Sequence, residues 1–132
     1  MTPWFADTHF YLALLNPSDA HHRAALELAK GSYHPIVASA WVLTEVADGL
    51  ANPPLRRLAI ELIDELRSDP SVEVVESDME LLASGWNLYR DRPDKAWSLT
   101  DCVSFVIMKD HRLTEALTHD RHFKQAGFRI LL

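Results

Sequence analysis

Residues 98–120, "SLTDCVSFVIMKDHRLTEALTHD", contain one helix and one strand in succession. The stretch opens with two hydroxyls and an acid. It then runs through Cys102–Met108, seven residues of which six are apolar. Ser98 and Asp101 form the S-x-x-D start of a helix, and so long an apolar run predicts a helix built for burial. A short apolar strand, "EALTHD" at 115–120, follows and closes on Asp120. An acid in a first helical turn gains roughly 0.3–1 kcal/mol from the helix dipole. Capping alone therefore explains Asp101 locally, and the rest of the chain has to say whether the residue also holds a metal.

The same alternation recurs on the N-terminal side. "PWFAD" (3–7) is predicted as a strand ending in Asp7, with "FYLALL" (10–15) a short helix directly after it. Ser18 is placed as the cap of "DAHHRAALELAKG" (19–31), where Ala25, Leu28 and Ala29 share a face and Gly31 is the stop. "HPIVAS" (34–39) is a second strand, and Ser39 is placed as the cap of a helix over 40–50. Residues 53–69 set Leu55, Leu58, Leu62 and Leu66 at helical spacing. "VEVV" (72–75) is a third strand, and Ser77 with Glu80 reads as a capping box opening a helix over 78–91. "FRILL" (128–132) is a candidate fifth strand. Strands alternating with helices predict an α/β fold in one domain, residues 1–132, with a mainly parallel sheet of four or five strands covered on both faces.

At 132 residues, with 48% hydrophobic and 24% charged positions, the composition is that of a globular domain with a proper core. The single cysteine, Cys102, rules out an internal disulfide and fits a reducing compartment. "MTPWFADTHF" lacks the basic and apolar regions of a signal peptide, and no apolar run reaches the roughly 18 residues of a membrane span. A cytoplasmic protein is expected. The net charge of −6 argues against a general nucleic-acid coat. Residues 1–88 hold five Lys/Arg against thirteen Asp/Glu, and 89–132 hold eight against six, which permits a local phosphate-binding face.

In parallel α/β sheets, ligands sit beyond the carboxyl ends of the strands. Asp7 and Asp120 close strands at that edge, and Asp101 lies at a helix N-terminus facing it. Glu45 follows the second strand amid Trp41, Val42, Leu43 and Val46, where a carboxylate is costly to bury unless paired or bound to a cation. Four carboxylates in one pocket raise one another's pKa and require a counter-charge. Hard oxygen ligands suit Mg²⁺ or Mn²⁺, which can polarise a phosphodiester and help ionise a water. No GxxxxGK[ST], no GxGxxG and no usual zinc spacing competes with that reading.

"ADT" (6–8), Glu45 in "LTEVADGL", "WSLTDCVSF" (97–105) and "LTHDRHF" (117–123), in that order over nearly the whole chain, resemble the PIN-domain ribonucleases, particularly VapC-like toxins. The resemblance implies an α/β/α sandwich and a Mg²⁺- or Mn²⁺-dependent endoribonuclease acting on single-stranded RNA. It also implies a homodimer and, for a toxin, a small antitoxin partner. Asp7, Glu45, Asp101 and Asp120 match the family's acidic quartet of metal ligands. Thr100 matches the hydroxyl residue before the third acid, with Thr8 a weaker match of that kind and His9 at a variable position.

Each feature also has a plainer reading. Asp7 and Asp120 can end strands in Asx turns, and Thr44, Glu45 and Asp48 can form a solvated stripe. Asp91 and Asp94 read as exposed loop acids. His119 and His122 sit at a turn, where a zinc pair is not expected; His122 with Phe123 packs or meets substrate, and His21–His22 is a solvated face. Arg90, Arg92, Lys95, Arg121 and Lys124 are either surface charge or phosphate contacts. Trp4, Trp41 and Trp86 are placed in the core and Trp97 in a loop open to bases. Two other functions remain: a catalytically silent PIN-like module binding RNA or protein, and a haloacid-dehalogenase-like phosphatase. The latter normally wants a second Asp two residues after the first, where this chain has His9.

Overall fold

Phe5 lies at the centre of the sheet, opposite Val37 on one side and Ala116 on the other, and all three are essentially without exposure. The computed structural model describes residues 1–31 and 33–132. Along the chain run β1 (Trp4–Ala6), α1 (Thr8–Leu15), α2 (His22–Lys30), β2 (Ile36–Ser39), α3 (Ala40–Gly49) and α4 (Leu55–Ser68). They are followed by β3 (Val72–Val75), α5 (Met79–Asp91), α6 (Leu99–Asp110), β4 (Glu115–Leu117), α7 (Arg121–Gln125) and β5 (Arg129–Ile130). The five strands form one all-parallel sheet in the order β3-β2-β1-β4-β5. Right-handed crossovers then put α1–α4 on one face and α5–α7 on the other, giving the α/β/α sandwich expected.

The strand order reverses between β1 and β4. That switch point leaves a crevice at their carboxyl ends, and the residues just past those ends are Asp7 and Thr118–Asp120. The strands are short and apolar because helices cover both faces. A chain of aromatic contacts fixes α6 and α7 against β1: Phe5 meets Phe123 at 6.1 Å, Phe123 meets Phe105 at 5.0 Å, and Phe105 meets Trp97 at 5.1 Å between ring centroids.

Several expectations need correction. The strands at 3–7, 34–39 and 115–120 are shorter than their apolar runs, so Asp120 does not close β4 but caps α7. Ser18 does not cap α2, which starts at His22. The Asn16 and Asp19 carboxamide and carboxylate accept from the backbone N–H groups of Ser18 and His21 and keep this stretch in turns. Asp78, not Ser77, caps α5, accepting from the Leu81 amide at 2.7 Å. Trp97 is not open to bases: it is 6% exposed and its indole N–H donates to Gln125 Oε1. Trp86, placed in the core, is 48% exposed. The Ser39 cap of α3 and the Ser98–Asp101 capping box of α6 are present as expected. Among the described residues, no helix is long and apolar enough to cross a membrane.

Gly85 is buried where α5 crosses α6, and a Cβ built on it would lie 2.5 Å from Val103 Cγ2 and 3.2 Å from Val103 Cα. Helix propensity favours Gly85→Ala by about 1 kcal/mol, but overpacking against a stiff β-branched side chain costs about 1–3 kcal/mol. The variant should be less stable by about 1–2 kcal/mol in urea unfolding. Adding Val103→Ala should recover part of that loss, as double-mutant coupling requires of residues in contact.

Candidate functional site

Asp7 stands at the N-cap of α1, immediately after β1, with its backbone amide donating to Leu117 O across the switch point. Its side chain makes no cap hydrogen bond. Instead Oδ2 accepts from Thr118 Oγ1 at 2.9 Å and from His9 Nδ1 at 2.8 Å. At 3% exposure this carboxylate depends on those two donors. Thr118 is fully buried and acts in both directions, because its Oγ1 also accepts from the Asp120 amide at 3.0 Å.

Asp101 fills both roles that its sequence context allows. Its Oδ2 accepts from the Ser98 amide at 3.0 Å, completing the capping box, and from His122 Nδ1, also at 3.0 Å. Asp120 Oδ1 accepts from the His122 amide at 2.9 Å as the cap of α7. His122 is thus held between two acids. Ligand atoms of Asp101, Asp120 and His122 all lie within 4.8 Å of one another, as do those of Asp7, His9 and Asp120. Asp120 belongs to both groups and joins them into one cluster.

Glu45 is placed one step away. It sits on the exposed side of α3, outside both close groups, but its carboxyl turns inward and Oε1 accepts from Thr8 Oγ1 at 2.6 Å. Three of the four expected acids are therefore linked through Thr118 and His122, and the fourth joins them through Thr8, the neighbour of Asp7. Thr100 is half-buried in the first turn of α6, and among the described residues its hydroxyl bonds to none of the acids. The hydroxyls that do reach them belong to Thr8 and Thr118. Sequence reasoning assigned nothing to His9 and overlooked Thr118. The available signals were the i+2 reach of His9 back to Asp7 and a threonine ending an otherwise apolar strand.

The remaining residues separate by geometry. His119 stacks on His21 at 3.9 Å and meets His9 edge-on at 4.9 Å, so His21 is part of the rim rather than a solvated residue. His22 is likewise half-buried, its Nδ1 against Ala13 O at 2.7 Å. Asp94 pairs with Arg92 on the surface, away from the acids, and that guanidinium holds its carboxyl down at about 2.

Electrostatics marks the cluster as short of positive charge. Burial pushes the Asp101 carboxyl above its ordinary range, with Asp120 and Asp7 adding to the rise against the Ser98 amide and His122. Burial also raises Glu45, and Asp7 and Asp101 repel its charge, while Thr8 and His9 oppose the rise. His9 is raised, chiefly by its bond to Asp7 and further by Asp120 and Asp101. Each acid gives one oxygen to the protein: Oδ2 of Asp7 and Asp101, Oδ1 of Asp120, and Oε1 of Glu45. Among the described residues the other oxygen of each has no hydrogen-bond donor, so the cluster offers hard, unengaged ligands of the kind a divalent cation takes.

A family model described as PIN domain matches residues 5–129. The 23S rRNA-specific endonuclease VapC20 of Mycobacterium tuberculosis is 31% identical over 125 residues, 94% of each chain. The crystal structure of that sarcin-ricin loop cleaving toxin superposes with a TM-score of 0.85 at 27% identity, covering 94% of this chain and 95% of its own. FitAcB from Neisseria gonorrhoeae is similar in fold, with a TM-score of 0.69, 18% identity and 97% and 96% coverage. So is promoter-bound VapBC2 from Rickettsia felis, with a TM-score of 0.67, 15% identity and 96% coverage of both chains.

Thr118→Val keeps the shape of the residue and removes the hydroxyl that serves Asp7 and the Asp120 amide. With one buried carboxylate short of a donor, the metal-free protein should lose about 1–3 kcal/mol of stability in urea unfolding. Thr118→Ser should retain most of it.

Proposed function

This chain belongs to the PIN-domain family, and from that premise we propose that it is an endoribonuclease dependent on Mg²⁺ or Mn²⁺. In this reading the whole of residues 1–132 acts as one such domain, a toxin that a small antitoxin neutralises and that works as a homodimer. The observation that carries the proposal is the shared pattern of the four acids. Each holds one oxygen on the protein and, among the described residues, leaves the other without a hydrogen-bond donor.

Asp7, Glu45, Asp101 and Asp120 are the residues that would hold the cation. Bound there, it would supply Lewis-acid polarisation of a phosphodiester and ease the ionisation of a water. The chain's own residues do the positioning. Thr118 and His9 hold Asp7, Ser98 and His122 hold Asp101, the His122 amide holds Asp120, and Thr8 holds Glu45, so every carboxylate of the four has one oxygen positioned before substrate arrives. The Thr100 hydroxyl, beside Asp101 and bonded to no acid, is left to orient substrate or water. A silent binding module would gain nothing from four acids gathered in this way, whereas a metal centre uses all of them.

The substrate of VapC20, 23S rRNA, supplies the first RNA to try. With Mn²⁺, the wild type should cleave ribosomal or mixed cellular RNA, EDTA should stop it, and fresh Mn²⁺ should restore it. Asp7→Asn and Asp101→Asn should each slow cleavage by on the order of a hundredfold or more, as loss of several kcal/mol of Lewis-acid stabilisation requires. Asp64→Asn, a change to an exposed acid of α4, should leave the rate alone. Equal rates in all variants would mean that the activity does not come from this site. Mn²⁺ should also raise the melting temperature of the wild type, and should do so less for Asp7→Asn and Asp101→Asn.

A further inference from the structure

Trp86 and Tyr89 lie one turn apart on α5, with ring centroids 5.4 Å apart and planes within 16°. They are 48% and 44% exposed, so the pair presents a broad aromatic face to solvent at the end of α5 nearest α6. With Arg90, Arg92, Lys95 and Ser98 they line a single cleft, and no carboxylate is among its lining residues, in a chain whose net charge is −6. Arg92 is committed elsewhere: it forms two bonds of 2.9 Å to Asp94 and lies 5.2 Å over the Trp97 ring. Arg90 donates to Asn87, and Lys95 Nζ stands 6.0 Å from the Trp97 ring without an ion pair among the described residues.

The cleft ends at Ser98, whose backbone amide donates to Asp101 Oδ2 at 3.0 Å. Ser98 therefore belongs both to the lining of the cleft and to the hydrogen bonding of the acid cluster. We propose that this cleft seats the single-stranded RNA flanking the cleaved bond, with one or two bases on Trp86 and Tyr89 and the backbone along Lys95 and Arg90. Stacking on an exposed aromatic face needs unpaired bases and tolerates any sequence, while cations fix the strand's position. Trp, Tyr and Arg also suit a protein interface; what favours RNA is a lining without a carboxylate that includes Ser98, the residue bonded to Asp101. The inference rests on the nuclease reading for what lies beyond Ser98, but binding in the cleft requires no cleavage.

The test separates the two. In EDTA, fluorescence anisotropy would follow the full chain binding a labelled 12-nucleotide single strand and a duplex of equal length. The single strand should bind more tightly. Trp86→Ala and Tyr89→Ala should each weaken it by roughly 5- to 100-fold, the range for losing one base stack, while Trp86→Phe and Tyr89→Phe retain most of the affinity. Lys95→Ala should lower the salt slope of log K by about 0.7. Circular dichroism confirms that each variant is folded. Should the wild type fail to bind the strand, or the alanine variants bind it as the wild type does, the cleft is not an RNA site. Should Trp86→Ala instead reduce the sedimenting mass and leave RNA affinity unchanged, the aromatic pair is an interface between copies and the proposal is overturned. If binding responds as expected but Mn²⁺ produces no cleavage, the cleft stands and the nuclease reading falls.

Discussion

A carboxylate at 3% exposure has to be solvated by protein, and the arrangement around Asp7 follows from that requirement. Its donors come from Thr118, 111 residues away across the β1/β4 seam, and from His9 in its own helix. Either partner moves only if the seam opens or α1 unwinds. The position of Asp7 is thereby tied to the register in which Ala6 sits beside Leu117. Because Thr118 also accepts from the Asp120 amide, the same hydroxyl places the second acid relative to the first.

The other acids inherit their positions from packing. Phe105 and Phe123 lock α6 and α7 together over Phe5, so that the first turn of α6 and the cap of α7 face the same hollow. Gly85 lets α5 approach Val103 without a side chain between them, which sets the height of α6 above the sheet. Small changes in that stack would move Asp101 relative to Asp120. The cluster is thus a consequence of a buried aromatic and glycine contact as much as of its own hydrogen bonds.

The sheet, its parallel sense and its place among covered α/β folds were legible from alternating apolar runs, because short strands buried on both faces leave no polar period to confuse with a helix. The quartet was legible as residue types at strand ends and helix starts. Element boundaries were less so. Asn16 and Asp19 captured amides that Ser18 was expected to organise, and Asp78 capped one residue later than Ser77. In both misses a neighbouring polar side chain takes up a nearby amide in place of the serine, a choice made by local backbone geometry and not by composition. Trp4 and Trp41 pack against the core as expected, but Trp86 was misjudged because apolar spacing identifies a face without saying whether another element covers it. The α6 side of α5 is covered at Gly85, whereas Trp86 and Tyr89 look outward. The involvement of Thr118 needed coordinates, since it reaches Asp7 across 111 residues, whereas His9 lies only two residues from Asp7 and its reach was there to be read.

Three of the acids sit at helix N-termini: Asp7 at the cap of α1, Asp101 in the first turn of α6, and Asp120 at the cap of α7. Helix dipoles and free amides stabilise negative charge there, each by a fraction of a kcal/mol to about 1 kcal/mol. Burial, with a smaller contribution from the neighbouring acids, still leaves Asp101 and Glu45 raised. The capping role of Asp101 and a metal-binding role are therefore not rivals. The cap holds one oxygen and lowers the cost of keeping the charge in place, and the oxygen left over is the one that can meet a cation.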